Sequence, residues 1–340
     1  MKQAKMTSPG KIEFNQINKP KPGPFEVLLE IKRIGVCGSD IHVFHGKHPY
    51  TPYPVVQGHE FSATVAEVGE GVEDIPIGAK VTSMPQIVCG ECPPCKRGDY
   101  HICDELKVQG FQAPGCAQEY WITSADKIIL LPEDFTFEQG ALVEPVSVAV
   151  HAVKRAGEMK GKNVVVLGAG PIGNLVAQVA QAYGATVLIT EISEYRLQKA
   201  KECSINFVSN SQDETLKEAS RRVFGDAGFE IALECVGIEP TITAAIENIE
   251  KGGTIIVVGV FGDKPRVDLG LVQDRELNLH GTLMYKKEDY KEAVRLLDEG
   301  KVCAEPLVTQ HFRFEEYPDA YDFIESKGHQ TMKVMIDVSK

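Results

Sequence analysis

Residues 163–193 read NVVVLGAGPIGNLVAQVAQAYGATVLITEIS. The run Val164–Leu167 is short, apolar and rich in β-branched residues, the pattern of a strand buried on both faces. Gly168, Gly170 and Gly173 follow in G-x-G-x-x-G spacing, and apolar residues then recur at helical intervals from Asn174 to Tyr183. Strand, glycine turn, helix and second strand within about thirty residues form the unit that takes a dinucleotide. The first glycine makes the turn, the second lets a pyrophosphate approach the backbone, and the third lets helix pack on strand. The unpaired N–H groups where the helix opens, from Ile172 on and beside Pro171, face the anion. Glu191 closes the next strand, where a carboxylate accepts hydrogen bonds from ribose hydroxyls and repels the extra phosphate of NADP. Arg196, five residues on, is placed to stack on adenine or to meet the extra phosphate of NADP. The reading is NAD.

Working outward, FEIALECVG, TITAAIENIEK and TIIVVGV continue the alternation of strand and helix, which implies a doubly wound parallel sheet covered on both faces. Upstream the texture differs. EVLLEIKRIGVCG and SATVAEVGEGV are short apolar runs broken by turns such as KPKPGP and HPYTPYP, so this part is β-rich. PVSVAVHAVKRAG, at about residue 145, marks the change to helical spacing, and LVEP puts Glu144 at the start of that helix. After residue 285, KEDYKEAVRLLDEGKV is an amphipathic helix and MKVMIDV a last strand. The expected organisation is α/β: a β-rich domain over 1–145, a Rossmann domain over 146–285, and a segment 286–340 returning to the first domain. A chain of 340 residues is long enough for about two cores.

The composition, 43% hydrophobic and 25% charged, is that of a globular protein. Its 48 acidic against 36 basic residues give a net charge of -12 that repels a phosphate backbone, so nucleic acid is not an expected partner. No apolar run approaches bilayer length, which argues against a membrane partner, and the expected location is cytoplasmic. In a reducing compartment clustered cysteines hold metal rather than disulfides.

Residues 89–103, CGECPPCKRGDYHIC, bring Cys89, Cys92, Cys95 and Cys103 within fifteen positions, in a lobe of about 86–105. Four thiolates close a tetrahedral zinc shell and leave no place for substrate, so the lobe is structural. An iron–sulfur cluster fits less well, because the fourth cysteine comes too late and lacks the following proline. A zinc ribbon on nucleic acid finds little positive charge in KRGDYH. Cys116, Cys203, Cys235 and Cys303 have no partner pattern and read as packing residues.

Cys37 lies in GVCGSDIH, and His59 and Glu60 lie in QGHEFSATV. Together with the four-cysteine lobe, ALVEPVSVAVHA, GAGPIG and ECVG, in this order over nearly the whole chain, they resemble the zinc-dependent medium-chain alcohol dehydrogenase family, in particular its sorbitol (polyol) dehydrogenase-like branch. The resemblance implies a GroES-like catalytic domain, one catalytic and one structural zinc per subunit, and NAD. It implies catalytic zinc held by Cys37 and His59 with Glu60 or Glu144 as the carboxylate ligand, and a relay in which Ser39 and then His42 take the alcohol proton outward. His45 and His48 lie close by, and spacing alone does not separate them from His42. The resemblance further implies that Cys235, Val258, Gly259, Val260, Thr282 and Leu283 line the nicotinamide half of the cofactor, and that the site lies in the cleft between domains. Phe44, Phe111 and Glu119 are pocket candidates.

The chemistry independently suits a metal, since zinc at an open position lowers the pKa of a bound oxygen and lets an unactivated secondary alcohol release hydride. The expected substrate is therefore a small polar alcohol or ketone, and the resemblance implies a homotetramer or homodimer. Met284 in GTLMY stands where sorbitol dehydrogenases carry an arginine, so sorbitol itself is not specified. L-Threonine 3-dehydrogenase and 2,3-butanediol dehydrogenase activities are alternatives, and a non-catalytic NAD-binding protein is a further one. A zinc-independent quinone reductase would lack the Cys37, His59 and Glu144 set.

Overall fold

The computed structural model describes residues 1–338. The chain divides into two compact units. The first contains Met1–Glu144, Lys286–Val294 and the chain from Val308 on; the second contains Pro145–Tyr285 and Arg295–Leu307.

The first unit is built on a sheet whose order is Val308–Arg313, Lys333–Asp337, Glu26–Val36, Glu60–Val68, Lys80–Ser83 and Ile128–Leu130. Tyr120–Ser124 also pairs with Glu26–Val36. That eleven-residue strand is the centre of the unit: Val27, Leu28, Leu29, Ile31 and Ile34 are fully buried. Each such side chain contributes about 1.5–3 kcal/mol relative to exposure. Two antiparallel pairings fix the end of this strand. Gly35 lies opposite Glu60, and Val36 opposite Val334, so the residues just past the strand's end meet both neighbouring strands.

The second unit carries six parallel strands in the order Phe207–Asn210, Thr186–Glu191, Asn163–Leu167, Ile231–Glu234, Thr254–Val257 and Asn278–Gly281. Counted along the chain this is the order 3-2-1-4-5-6 of a Rossmann sheet. Val164, Val165 and Val166 have no exposed surface, as expected for a strand covered on both faces. The first unit is thus the expected β-rich GroES-like domain and the second the expected doubly wound Rossmann domain.

Two helix starts differ from the sequence reading. Apolar spacing opens the helix after the glycine turn at Asn174, whereas the helix is Pro171–Ala182, because proline at the first helical position needs no N–H partner and brings a suitable φ. The helix containing Glu144 runs Phe137–Arg155, with Pro145 inside it. Glu144 is thus mid-helix rather than at a helix start. Gly140 and Pro145 are poor helix formers, but Gly140 is required for close packing: a Cβ there would lie 2.7 Å from Leu131 and 2.9 Å from Ser62. The Thr136 hydroxyl accepts the Gln139 N–H at 3.1 Å and caps the true first turn.

Candidate metal centre and dinucleotide turn

Cys37 caps the N-terminus of the short helix Gly38–Phe44, directly after the central strand. His59 stands just before the strand Glu60–Val68, which Glu60 opens, and follows Gly58 at φ +91°. A side chain at Gly58 would be strained, and its Cβ would press on the Cys116 sulfur at 2.9 Å. The pairing of Gly35 with Glu60 then delivers Cys37, His59 and Glu60 to one place. Their ligand atoms lie within 4.8 Å of one another. One thiol, one imidazole and one carboxylate form a zinc donor set that leaves a coordination position for substrate or water.

The surroundings are charged and dry. Glu60 is 1% exposed, and both its oxygens accept hydrogen bonds from Lys333 Nζ, at 2.8 and 2.6 Å. Lys333 is itself 3% exposed and also donates to the Val36 carbonyl at 3.3 Å. Burial alone would push the Lys333 ammonium down, but Glu60, Cys37 and Glu144 hold it above its ordinary range. Burial and then the charge of Glu60 push the Cys37 thiol up. His59 is held well above its usual value: burial works against this, and Asp40, Cys37 and Glu144 outweigh it. Asp40 is buried as well; burial raises its carboxyl, while its oxygens accept the Cys37 N–H at 3.0 Å and lie 3.7 Å from His59 Nδ1. That nitrogen is buried without a hydrogen-bond partner. A dication at this point offsets the concentration of thiolate and carboxylate, so the residues fit a metal on both donor chemistry and charge.

Of the sequence candidates, Glu60 stands inside the cluster, while Glu144 is a buried charge that acts on His59 and Lys333 from outside it. Ser39 and His42 lie on the helix that Cys37 caps, three residues apart and so on one face. His42 is exposed. His45 is tied to Glu325. His48 is partly buried, bonded to Thr51 at 2.7 Å and stacked on Phe111, which in turn contacts the ring of His59 with centroids 5.0 Å apart. Phe44 stacks on Tyr321, and Glu119 accepts the Lys2 N–H at 2.6 Å. Asp40, Gln57, Tyr321 and Lys333 escape a reading of the sequence alone. The signals were a lysine in the apolar strand MKVMI and a glutamine between VV and GHE.

The four cysteines of the lobe also converge within 4.8 Å. The Cys89–Cys103 and Cys92–Cys103 sulfurs are 3.5 and 3.8 Å apart. Zn–S bonds of about 2.3 Å in a regular tetrahedron set an edge of about 3.8 Å. Backbone N–H groups of Cys89, Cys92, Asp104 and Glu105 donate to these sulfurs at 3.3–3.5 Å. All are free thiols. Hydrogen bonds, chiefly from Asp104 N–H, bring Cys92 down to about 7, while burial and the neighbouring Cys92 push Cys95 up to about 12.

In the second unit, Gly168 adopts φ +97°, and a Cβ on Gly173 would run into the Gly168 carbonyl. Internal packing requires both glycines. Gly170 differs: the nearest atom to a Cβ there is Arg196 Nη1, at 3.8 Å, so the protein's own packing does not require glycine. Space kept at this position, at the N-terminus of Pro171–Ala182, fits a pyrophosphate against the backbone. Glu191 is tied in place by the N–H groups of Ala169, Ile192 and Ser193 at 3.1, 2.8 and 3.2 Å, with Arg196 3.7 Å away. Cys235 packs on Gly173, Val258 and Gly259 donate to the Glu234 carbonyl, and Thr282 donates to Val257; Val260 and Leu283 are exposed. These residues stand at the carboxyl ends of their strands, where such sheets bind ligands.

Comparison with known proteins agrees with this geometry. The alcohol dehydrogenase GroES-like domain matches residues 23–133, and the zinc-binding dehydrogenase domain matches residues 171–299. A sorbitol dehydrogenase of Halalkalibacterium halodurans is 36% identical over 94% of this chain and 93% of its own. A zinc-binding dehydrogenase from Sinorhizobium meliloti bound to NADP superimposes with a TM-score of 0.92 at 28% identity, covering 99% of each chain. An alcohol dehydrogenase from Escherichia coli complexed with NADH does so at 0.91 and 27%, again covering 99% of each.

Proposed function

This chain belongs to the family of zinc-binding alcohol dehydrogenases with a GroES-like domain, and we propose that, as an NAD(P)-linked oxidoreductase, it moves a hydride between a secondary alcohol of a polyol or sugar-like substrate and NAD, giving a ketone. The observation that carries the reading is the buried Cys37–His59–Glu60 cluster with its compensating Lys333. Zinc there supplies the Lewis acidity that makes a substrate hydroxyl acidic, and NAD accepts the hydride.

The chain's own residues do the rest. Cys37, His59 and Glu60 hold the metal. Lys333 holds the Glu60 carboxylate in orientation through two hydrogen bonds in a dry setting. The Ser39 hydroxyl takes the substrate proton as it hands its own on to His42, which, exposed on the same helical face, releases it to water. In the second unit Gly168, Gly170 and Gly173 cradle the pyrophosphate. The fixed carboxylate of Glu191 favours NAD over NADP by repulsion of the extra phosphate. Met284 in place of a polyol-binding arginine supports a substrate other than sorbitol. The nine cysteines, all free, support a cytoplasmic location, and the family resemblance supports a homodimer or homotetramer. No described helix is long and apolar enough to cross a membrane.

The test is a panel of polyols, sugar alcohols, L-threonine and butanediols scored by NADH absorbance on zinc-loaded protein, with NADP in parallel. Turnover of at least one polyol with NAD is expected. Absence of turnover across the panel, with zinc bound at both clusters, overturns the reading.

A further inference from the structure

Gln57 is a neutral amide, 2% exposed, between the buried pair Val55 and Val56 and the turn that presents His59. A buried amide persists only where its groups are paired, and both groups of Gln57 are. Its Oε1 accepts the hydroxyl of Tyr321 at 2.8 Å, and its Nε2 donates to Asp40 Oδ1 at 3.2 Å and to the Asp40 carbonyl at 3.3 Å. The amide orientation is forced, because a carboxylate only accepts and so the NH2 must face it. Tyr321 is fully buried in the helix Tyr317–Lys327, far along the chain, and its ring stacks on Phe44 with centroids 4.8 Å apart. The network ends at the metal ligands. Asp40 Oδ2 accepts the backbone N–H of Cys37 at 3.0 Å, and Oδ1 stands 3.7 Å from the otherwise unpartnered Nδ1 of His59.

We propose that Gln57 and Tyr321 are positioning residues for the reactive metal: through Asp40 they hold the His59 ring and the Cys37 turn in ligating orientation, and thereby set the metal affinity of the Cys37–His59–Glu60 cluster. The reason is geometric. One oxygen, Asp40 Oδ1, accepts the Gln57 amide and faces His59 Nδ1 at 3.7 Å, so a Gln57 pinned by Tyr321 fixes where that oxygen stands. Without the amide, Asp40 is held only by the Cys37 N–H on its other oxygen, and the oxygen that faces the imidazole loses its anchor. Groups behind metal-ligating histidines tune affinity in this way. The inference rests on the reading of this cluster as a zinc site.

The test compares Tyr321→Phe and Gln57→Leu with the unsubstituted protein. Zinc affinity of the reactive cluster is measured by competition with a chromophoric chelator, and the ligand-field spectrum is recorded with cobalt(II) in that cluster and zinc kept in the four-cysteine lobe. For Gln57→Leu the expected result is a loss of affinity of about 10–100-fold with a shifted cobalt spectrum. Tyr321→Phe should give a smaller change in the same direction, and the lobe's affinity should not move. If Gln57→Leu fails to fold, Tyr321→Phe, which removes a single hydroxyl, carries the decision. Affinities within about two-fold of the unsubstituted protein, together with an unchanged cobalt spectrum, overturn the proposal. If instead the unsubstituted protein binds no zinc outside the lobe, the zinc reading itself has failed, and the two failures are distinguishable.

Discussion

The lobe draws its four ligands from fifteen consecutive positions, whereas the reactive cluster gathers Cys37, His59 and Glu60 from two strands and a helix turn and needs Lys333 from a third strand. Around the lobe's sulfurs the chain places backbone N–H groups. Around the reactive cluster it places buried side chains: Asp40, Gln57, Glu144 and Lys333. The first arrangement is closed and local, satisfied by peptide groups that any sequence supplies. The second keeps a position open, so its charges are balanced by tertiary partners that only this fold supplies. A structural site thus depends on spacing, and a reactive one on the company its ligands keep.

That contrast is broken most directly at Cys37. Cys37→Ser should remove zinc from the reactive cluster alone and lower kcat/KM by roughly a thousand-fold, the several kcal/mol a metal supplies at about 1.36 kcal/mol per decade. Metal analysis alongside steady-state kinetics checks this, and normal turnover would refute the metal's role. Next in size is Lys333→Met. It strands a buried carboxylate, and in metal-free protein this should cost about 3–5 kcal/mol in denaturant titration. Zinc should narrow the loss, because the ion takes over the neutralisation of Glu60; an equal loss with and without zinc would contradict the shared-charge account.

Acidity sharpens the comparison further. Thiols must lose their protons to bind zinc, and Cys92, at about 7, is re-protonated as pH falls below neutrality, while Cys95, at about 12, gives up its proton only to the metal. Lobe affinity should therefore fall as pH is lowered and rise as it is raised, more steeply than at the reactive cluster with its single thiol. Chelator competition between about pH 6 and 8 measures both slopes, a window set by a thiol range near neutrality. The smallest expected effect on turnover is that of Cys92→Ser. The melting temperature should fall, yet at low temperature kcat should stay within about three-fold, because the lobe holds no substrate. A collapse of kcat in still-folded protein would give the lobe a direct catalytic role.

Much of this molecule is legible in its sequence because several of its devices are local. The glycine turn lies within one βαβ unit, and the four cysteines announce their shell by spacing. The doubly wound parallel sheet also follows from alternation of strand and helix. What stayed hidden acts over distance. Lys333 is 273 residues from the carboxylate it neutralises, and Tyr321 is 264 residues from Gln57. Only the strand register that sets Val334 against Val36 shows that MKVMI carries its lysine inward. The helix around Glu144 was masked for another reason: Gly140 and Pro145 are poor helix formers, and at Gly140 close packing against Ser62 and Leu131 favours the residue that has no side chain.

The register of Lys333 also has a consequence for biosynthesis. During translation, Cys37, His59 and Glu60 leave the ribosome long before the ammonium that balances them, so an early nascent chain holds the donor set without its counter-charge. The reactive centre reaches its finished electrostatic form only when the Lys333–Asp337 strand joins the sheet, whereas the lobe has all of its thiols as soon as Cys103 is added. One polypeptide therefore assembles its two zinc sites on different clocks.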